Sequence, residues 1–281
     1  MRDAGLHYCL FDPTGNITAL VESAVDVPDQ PAVAAGIMCR HPEVEQVGFL
    51  SLPAFPALPF LRMAGGEFCG NASMCAAALT ALRRGMKPGT GSSSLLLRVS
   101  GALRPVAVCL QAEGEDCWSA SVTMPSAGSV EEHAFRFGDL QGTLPLVRME
   151  GISHLLVEPD SPFSRLLADR AAAEQAVRRW CGELQTDGLG LMFVFPSEER
   201  LTAERALSLT PLVYIPVSDT LFWENSCASG SAAAGMVLAA RAGGPVSLSL
   251  DEPGGTLCVE SDPAGETLLQ GRTKRIAEYI Q

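Results

Sequence analysis

Only two lysines stand among the 281 residues, Lys87 and Lys274. Lys87 lies in an Arg-Arg-Gly-Met-Lys-Pro-Gly turn and Lys274 in a charged tail, so neither context suggests the Schiff-base lysine that pyridoxal chemistry needs. No Gly-x-Gly-x-x-Gly and no P-loop occurs, which removes two familiar nucleotide cradles. The chain is therefore expected to work without a cofactor. Net positive charge is absent as well: a net charge of −12 argues against nucleic acid as a partner and against anionic membrane surfaces. No apolar run approaches the roughly 18 residues of a membrane-spanning helix. Met1–His7 lacks the apolar core of a signal peptide. There is no CxxC pair and no His cluster near Cys69 and Cys75, so no metal site is expected. Nine cysteines, an odd number without a secretion signal, point to reduced thiols in the cytoplasm.

What the chain does have is two cysteines in matched surroundings. Gly65-Gly66-Glu67-Phe68-Cys69-Gly70-Asn71-Ala72-Ser73 and Trp223-Glu224-Asn225-Ser226-Cys227-Ala228-Ser229-Gly230-Ser231 each place a Cys after an acid and before small residues that open an Ala-rich stretch. One such thiol suggests a nucleophile. Two, one in each half, suggest an acid/base pair facing across a cleft.

The segments around them repeat. The pattern predicts strands over 6–11, 17–21, 44–50 and 59–63, and a helix within 28–39. A second helix is expected over 72–84, where Arg83, Arg84 and Gly85 suit its end. A strand meander over 95–99, 106–110 and 118–124 follows. After the Pro125–Ser129 boundary the order recurs: strands over 146–149 and 154–158, a helix over 169–184, strands over 189–195 and 212–216, and a helix over 232–241. Two last strands, 246–250 and 256–260, meet at Pro253-Gly254-Gly255. This implies two domains, 1–125 and 126–267, with a tail 268–281 able to return to the first. A pseudo-twofold arrangement puts the site in the cleft between them.

A helix N-terminus lowers a thiol's pKa and binds anions. Two facing termini could hold an amino acid's α-carboxylate on the amides of Gly70, Asn71, Ala228 and Ser229. One thiolate then removes the Cα proton and the other thiol returns one from the opposite face. Packing alone could explain one such cysteine; two in register favour catalysis by Cys69 and Cys227.

These motifs resemble the diaminopimelate epimerase-like superfamily of cofactor-independent racemases over nearly the whole chain. The resemblance implies an α/β (α+β) fold of two pseudo-symmetric domains, each a mixed β-sheet wrapped around a central helix. Gly15-Asn16 matches the first hairpin, Gln46 falls near a substrate-site glutamine, and Gly151-Ile152-Ser153-His154 resembles a Gly-Asn-Pro-His of the second half. The superfamily's diaminopimelate-binding amides match Phe60, Ile152 and Gly190 here. Its Glu-Arg pair falls either on Ser218-Asp219 or on Glu224-Asn225, and no Arg is present in either place. That favours a cationic or hydrogen-bonding side chain in the substrate.

A closer resemblance is to the histidine racemases of staphylopine-type opine metallophore pathways. It rests on residues 13–21, Glu45-Gln46-Val47-Gly48-Phe49, Glu67–Ser73, Tyr214-Ile215-Pro216 and the string Trp-Glu-Asn-Ser-Cys at 223–227. Ala228 replaces the usual Gly. The resemblance implies L/D racemisation of histidine, with Asn16, Glu45, Gln46, Gly70, Asn71, His154, Glu224, Asn225, Ala228 and Ser229 around the substrate. Competing readings make Glu45 a solvated strand-edge acid, His154 a structural histidine and Asn16 a turn brace. The alternatives for the whole chain are a diaminopimelate epimerase or another amino-acid racemase, a Glu-based phenazine-type isomerase, and a binding protein without turnover. The partner expected is a small amino acid, and an exposed sheet edge could support a homodimer.

Overall fold

Two Ala-rich helices, apolar on nearly every side, organise the molecule, because such a helix must be enclosed to leave water. The computed structural model describes residues 5–54, 56–86, 91–125, 129–197 and 206–280, with Ser129 by its backbone. Lys87, residues 1–4 of the N-terminal segment and residues 126–128 of the boundary stretch lie outside the described residues. The described chain divides into two compact units. One runs to Thr123 and resumes at Gln270; the other is Met124–Leu269.

The first unit contains β1 (His7–Asp12), β2 (Thr18–Val21), α1 (Gln30–Arg40), β3 (Gln46–Ser51), β4 (Phe60–Met63), α2 (Gly70–Arg83), β5 (Ser92–Val99), β6 (Val106–Gly114) and β7 (Cys117–Thr123). The second contains β8 (Ser129–Phe137), β9 (Leu140–Met149), β10 (Ile152–Val157), α3 (Arg170–Leu184), β11 (Leu189–Pro196), β12 (Ala206–Ile215), β13 (Thr220–Trp223), α4 (Ala228–Ala242), β14 (Val246–Glu252) and β15 (Gly255–Ser261). The division between units falls inside β16 (Thr267–Ile280).

In the first unit the strand order is β1-β2-β3-β4-β5-β6-β7-β16, and β16 pairs back onto β1, closing a barrel. The β2–β3 and β4–β5 pairs are parallel. Helix α2 touches β2, β3, β5, β6 and β7, and every residue from Gly70 to Ala81 is buried. Its alanines let the strands close around it. Helix α1 covers another face, with Ala34 and Ile37 in one cluster with Val47 and Phe49.

In the second unit the order is β8-β9-β10-β11-β12-β14-β15, with the start of β16 beside β15 and β13 as a hairpin on β12. Helix α4 touches β8, β9, β10, β11, β14 and β15. Helix α3 packs on β11 and β12, where buried Trp180 meets Phe135 and Phe163. Burying a side chain such as Phe163 stabilises by about 1.5–3 kcal/mol. Among the described residues no helix is long and apolar enough to cross a membrane.

Both central helices begin earlier than periodicity suggests, at Gly70 rather than Ala72 and at Ala228 rather than Ala232. Strands β8 and β13 and the first half of β9 escaped the sequence pattern. So did β16: the charged tail holding Lys274 is a strand, antiparallel to β1 from His7↔Ile280 to Asp12↔Lys274.

Candidate active site

In the first unit Cys69 is the N-cap of α2. Its backbone is extended (φ −137°, ψ 115°) and its Sγ accepts the Ala72 N–H at 3.3 Å, the task usually done by Ser, Asn or Asp. Four residues on, Ser73 Oγ donates to the Cys69 carbonyl at 2.6 Å, so the turn is braced from within. The thiol donates to Gln46 Oε1 at 2.7 Å, from the first residue of β3. Next to Gln46, Glu45 Oε2 accepts from Asn16 Nδ2 at 3.1 Å, and Asn16 is fully buried. Asn16, Glu45, Gln46, Cys69, Gly70 and Asn71 therefore belong to two neighbouring chain segments and one helix start. At that end the helix dipole and first-turn amides favour an anion.

The Cys69 loop leans on a turn. Ser100 Oγ donates to the Glu67 carbonyl at 2.8 Å and accepts the Met63 N–H at 2.9 Å. Gly101 (φ +75°) approaches so closely that a Cβ there would run into Phe68 N and lie 2.7 Å from Glu67 C. Burial pushes the Glu67 carboxyl upward against the opposing charge of Arg62, and its enclosed Oε2 finds no hydrogen-bond partner among the described residues.

In the second unit Cys227 is the N-cap of α4, again extended (φ −132°, ψ 98°) and buried. Here the bracing comes from outside the helix. The Cys227 N–H donates to Glu252 Oε2 at 2.6 Å, and Ser231 Oγ donates to Glu252 Oε1. Glu224 hydrogen-bonds the thiol. Burial pushes the Cys227 thiol well above its ordinary value, and the charges of Glu224 and Glu252 add to that push. Ser229 Oγ lies 3.7 Å from Sγ, and Ala228 and Ser229 are the first two residues of α4. The Asn225 carbonyl accepts the Gly254 N–H at 2.8 Å, tying the last hairpin to this loop.

Of the two placements open for the Glu-Arg pair, Glu224 lies at the thiol. Asp219 sits in the β12–β13 turn with positive φ, paired on the surface with Arg178. His154 is enclosed on β10, opposite Gly190 in parallel register. A Cβ on Gly190 would run into His154 Nδ1 and lie 2.5 Å from Met192 Cε. A Cβ on Gly230 would run into Met192 Sδ and lie 3.2 Å from Cys227 Sγ. Met192 thus links the His154 layer to the Cys227 turn. Burial holds His154 down at about 3, and neither ring nitrogen has a partner among the described residues. Ile152 opens β10 in the same unit, whereas Phe60 opens β4 in the first unit with Arg98 5.2 Å from its ring centroid.

Sequence reasoning missed Glu252. Its only signal was an acid directly before Pro253-Gly254-Gly255. One further group of ligand-type atoms, from His7, Cys9, Glu22 and Glu278, lies within 4.8 Å of one another. The Arg83 guanidinium already fills it as the cation, 2.7 Å from Glu22, 2.6 Å from Glu278 and 3.7 Å from Cys9.

Each unit thus holds a buried cysteine at the N-terminus of a buried helix, and the relatives of this chain are isomerases of the racemase and epimerase class. A hydroxyproline epimerase from Agrobacterium vitis with bound trans-4-OH-L-proline superposes with a TM-score of 0.66 at 17% identity, covering 99% of this chain and 91% of that one. A predicted epimerase of Pseudomonas aeruginosa gives 0.64 at 14% identity, covering 98% and 99%. A phenazine biosynthesis PhzF-family protein of Enterococcus faecalis gives 0.58 at 13%, covering 99% of both. At these identities the likeness establishes the mixed α+β fold. Residues 5–273 match the family described as the histidine racemase CntK N-terminal domain, and the chain belongs to that family. A histidine racemase of Fusobacterium nucleatum subsp. nucleatum is 30% identical over 241 residues, 83% of this chain and 81% of that protein. One of Staphylococcus aureus is 28% identical over 260 residues, 91% and 88%.

Proposed function

We propose that the chain interconverts L- and D-histidine without a cofactor, with Cys69 working on one face of Cα and Cys227 on the other. The observation that carries this is the recurrence, in each unit, of a buried cysteine as the N-cap of the buried central helix. The names of the relatives support histidine as the substrate. In one direction a thiolate takes the Cα proton: the C–H bond breaks, an S–H bond forms, and the electron pair stays on carbon. The opposite thiol then gives its proton to the other face and becomes the thiolate. The first-turn amides of Gly70, Asn71, Ala228 and Ser229 hold the carboxylate and stabilise the charge that spreads into it. Asn16, Glu45, Gln46, His154, Glu224 and Asn225 orient the amino and imidazole groups. The buried ring nitrogens of His154, without a partner among the described residues, suit a ligand that supplies the missing hydrogen bond.

The same reading makes residues 1–125 with 268–281, and 126–267, two pseudo-symmetric halves. It places the protein, with its nine free thiols, in the cytoplasm, serving opine metallophore biosynthesis, with a homodimer as its assembly. The experiment is chiral chromatography of L-histidine, L-glutamate and diaminopimelate after incubation with the protein. Histidine should be racemised far faster, because a distal carboxylate would meet Glu224 and Glu45. Preferred turnover of diaminopimelate would overturn the substrate and leave the thiol chemistry standing.

A further inference from the structure

Both turns begin with an extended N-cap cysteine, but they are braced differently: the Cys69 thiol accepts the Ala72 N–H, whereas the Cys227 side chain makes no such cap bond. Ser73 turns its hydroxyl back to the Cys69 carbonyl, whereas Ser231, at the same spacing from Cys227, donates to Glu252. Glu252 is the last residue of β14, is buried, and spends its two oxygens on the Cys227 N–H and the Ser231 hydroxyl. A carboxyl group is costly to bury, and nothing in the packing of a strand end calls for one. We propose that Glu252 is a positioning residue for racemisation: through its two hydrogen bonds it fixes the Cys227 turn, and its ionisation opposes that of the Cys227 thiol.

This rests on the reading of Cys227 as an acid/base group. Three features support it. The carboxyl oxygens reach both the backbone of the cysteine and the first turn of its helix, so they fix where Sγ can point. The titratable group acting on Glu252 is Glu224, from the segment before Cys227, which contributes only its backbone N–H; the strand neighbour Asp251 is engaged with Ser197 and Thr256. Burial pushes Glu252 up to about 8, with the bonds from Ser231 and the Cys227 N–H opposing and Glu224 reinforcing the rise. Its charge therefore switches near about 8, and each added negative charge makes the thiol harder to ionise.

The test follows alkylation of Cys227 by iodoacetamide against pH, read by peptide mass spectrometry, beside histidine racemisation. Glu252→Gln keeps the shape and loses the charge. It should raise Cys227 alkylation above pH 8 by about tenfold or more, with exposed Cys39 and Cys258 unchanged. The racemisation profile should also lose an inflection that the unaltered protein shows near about 8. Ser231→Ala removes one hydroxyl and should move that inflection upward, because the hydroxyl favours the ionised carboxylate. Unchanged Cys227 alkylation in folded Glu252→Gln, or an unmoved inflection in Ser231→Ala, overturns the proposal. Cys227→Ser separates this from the reading beneath it: a variant that still racemises removes Cys227 from the chemistry, whatever Glu252 does to its ionisation.

Discussion

The Cys69 thiol donates to the side-chain carbonyl of Gln46 across 2.7 Å. A primary amide suits a group that must change charge. Its carbonyl accepts from the thiol, and its N–H, turned over, can donate to the thiolate. A carboxylate at the same place could serve only the thiol. Gln46→Glu should therefore slow histidine racemisation by about tenfold or more and move Cys69 alkylation to higher pH. Equal alkylation profiles for the two proteins would remove Gln46 from the account.

Gly101 supports the same loop from below. Its positive φ and its approach to Phe68 N leave no room for a side chain. Gly101→Ala should cost about 2 kcal/mol or more in urea unfolding and reduce turnover through a displaced Cys69 turn. A variant as stable and as active as the parent would show that the loop does not need this contact.

Glu224 and Asp219 offered two placements for one pair of residues, and the structure separates them. Glu224 is buried at the Cys227 thiol; Asp219 pairs with Arg178 on the surface. Glu224→Gln should lower racemisation by about tenfold or more, as loss of a group that orients a catalytic acid does. Asp219→Asn should leave turnover near that of the parent. Kinetics of the two variants measured side by side would show the reverse order if the surface turn were the functional one.

Stability should fall on both sides of a mildly acidic optimum. Burial holds His154 at about 3 in the folded state against an ordinary 6.5, so the unfolded chain gains a proton first as pH falls below 6.5, and stability drops toward 3. Glu252 acts oppositely. Its folded value of about 8 against 4.5 gives a contribution complete below 4.5 and lost as pH rises toward 8. Denaturant midpoints across this range should show Glu252→Gln flattening the upper limb alone. A parent protein whose stability rises from 4.5 to 8 would contradict the burial of Glu252 as a neutral acid.

Much of this arrangement is legible in the chain. The alanine runs announce helices that must be enclosed, and the small residues after Cys69 and Cys227 announce their starts. What periodicity cannot show is where a helix begins when a thiol serves as its cap, which is why four residues of α4 were missed. Strand β16 was hidden because Arg272, Lys274, Arg275 and Glu278 give it the composition of a tail. Its pairing with β1 joins residues more than 260 positions apart, which no local window contains. Glu252 was hidden for the opposite reason: an acid beside a Pro-Gly-Gly turn looks solvated, and only the fold brings it to Cys227.

The central claim is that both thiols are needed, one for each face of Cα. The direct measurement is α-proton exchange and racemisation of L- and D-histidine in D₂O by Cys69→Ser and Cys227→Ser, with folding checked by circular dichroism. Each variant should lose racemisation in both directions by about 100-fold or more while remaining folded. A folded serine variant of either cysteine that still converts both enantiomers at near the parent rate would contradict it.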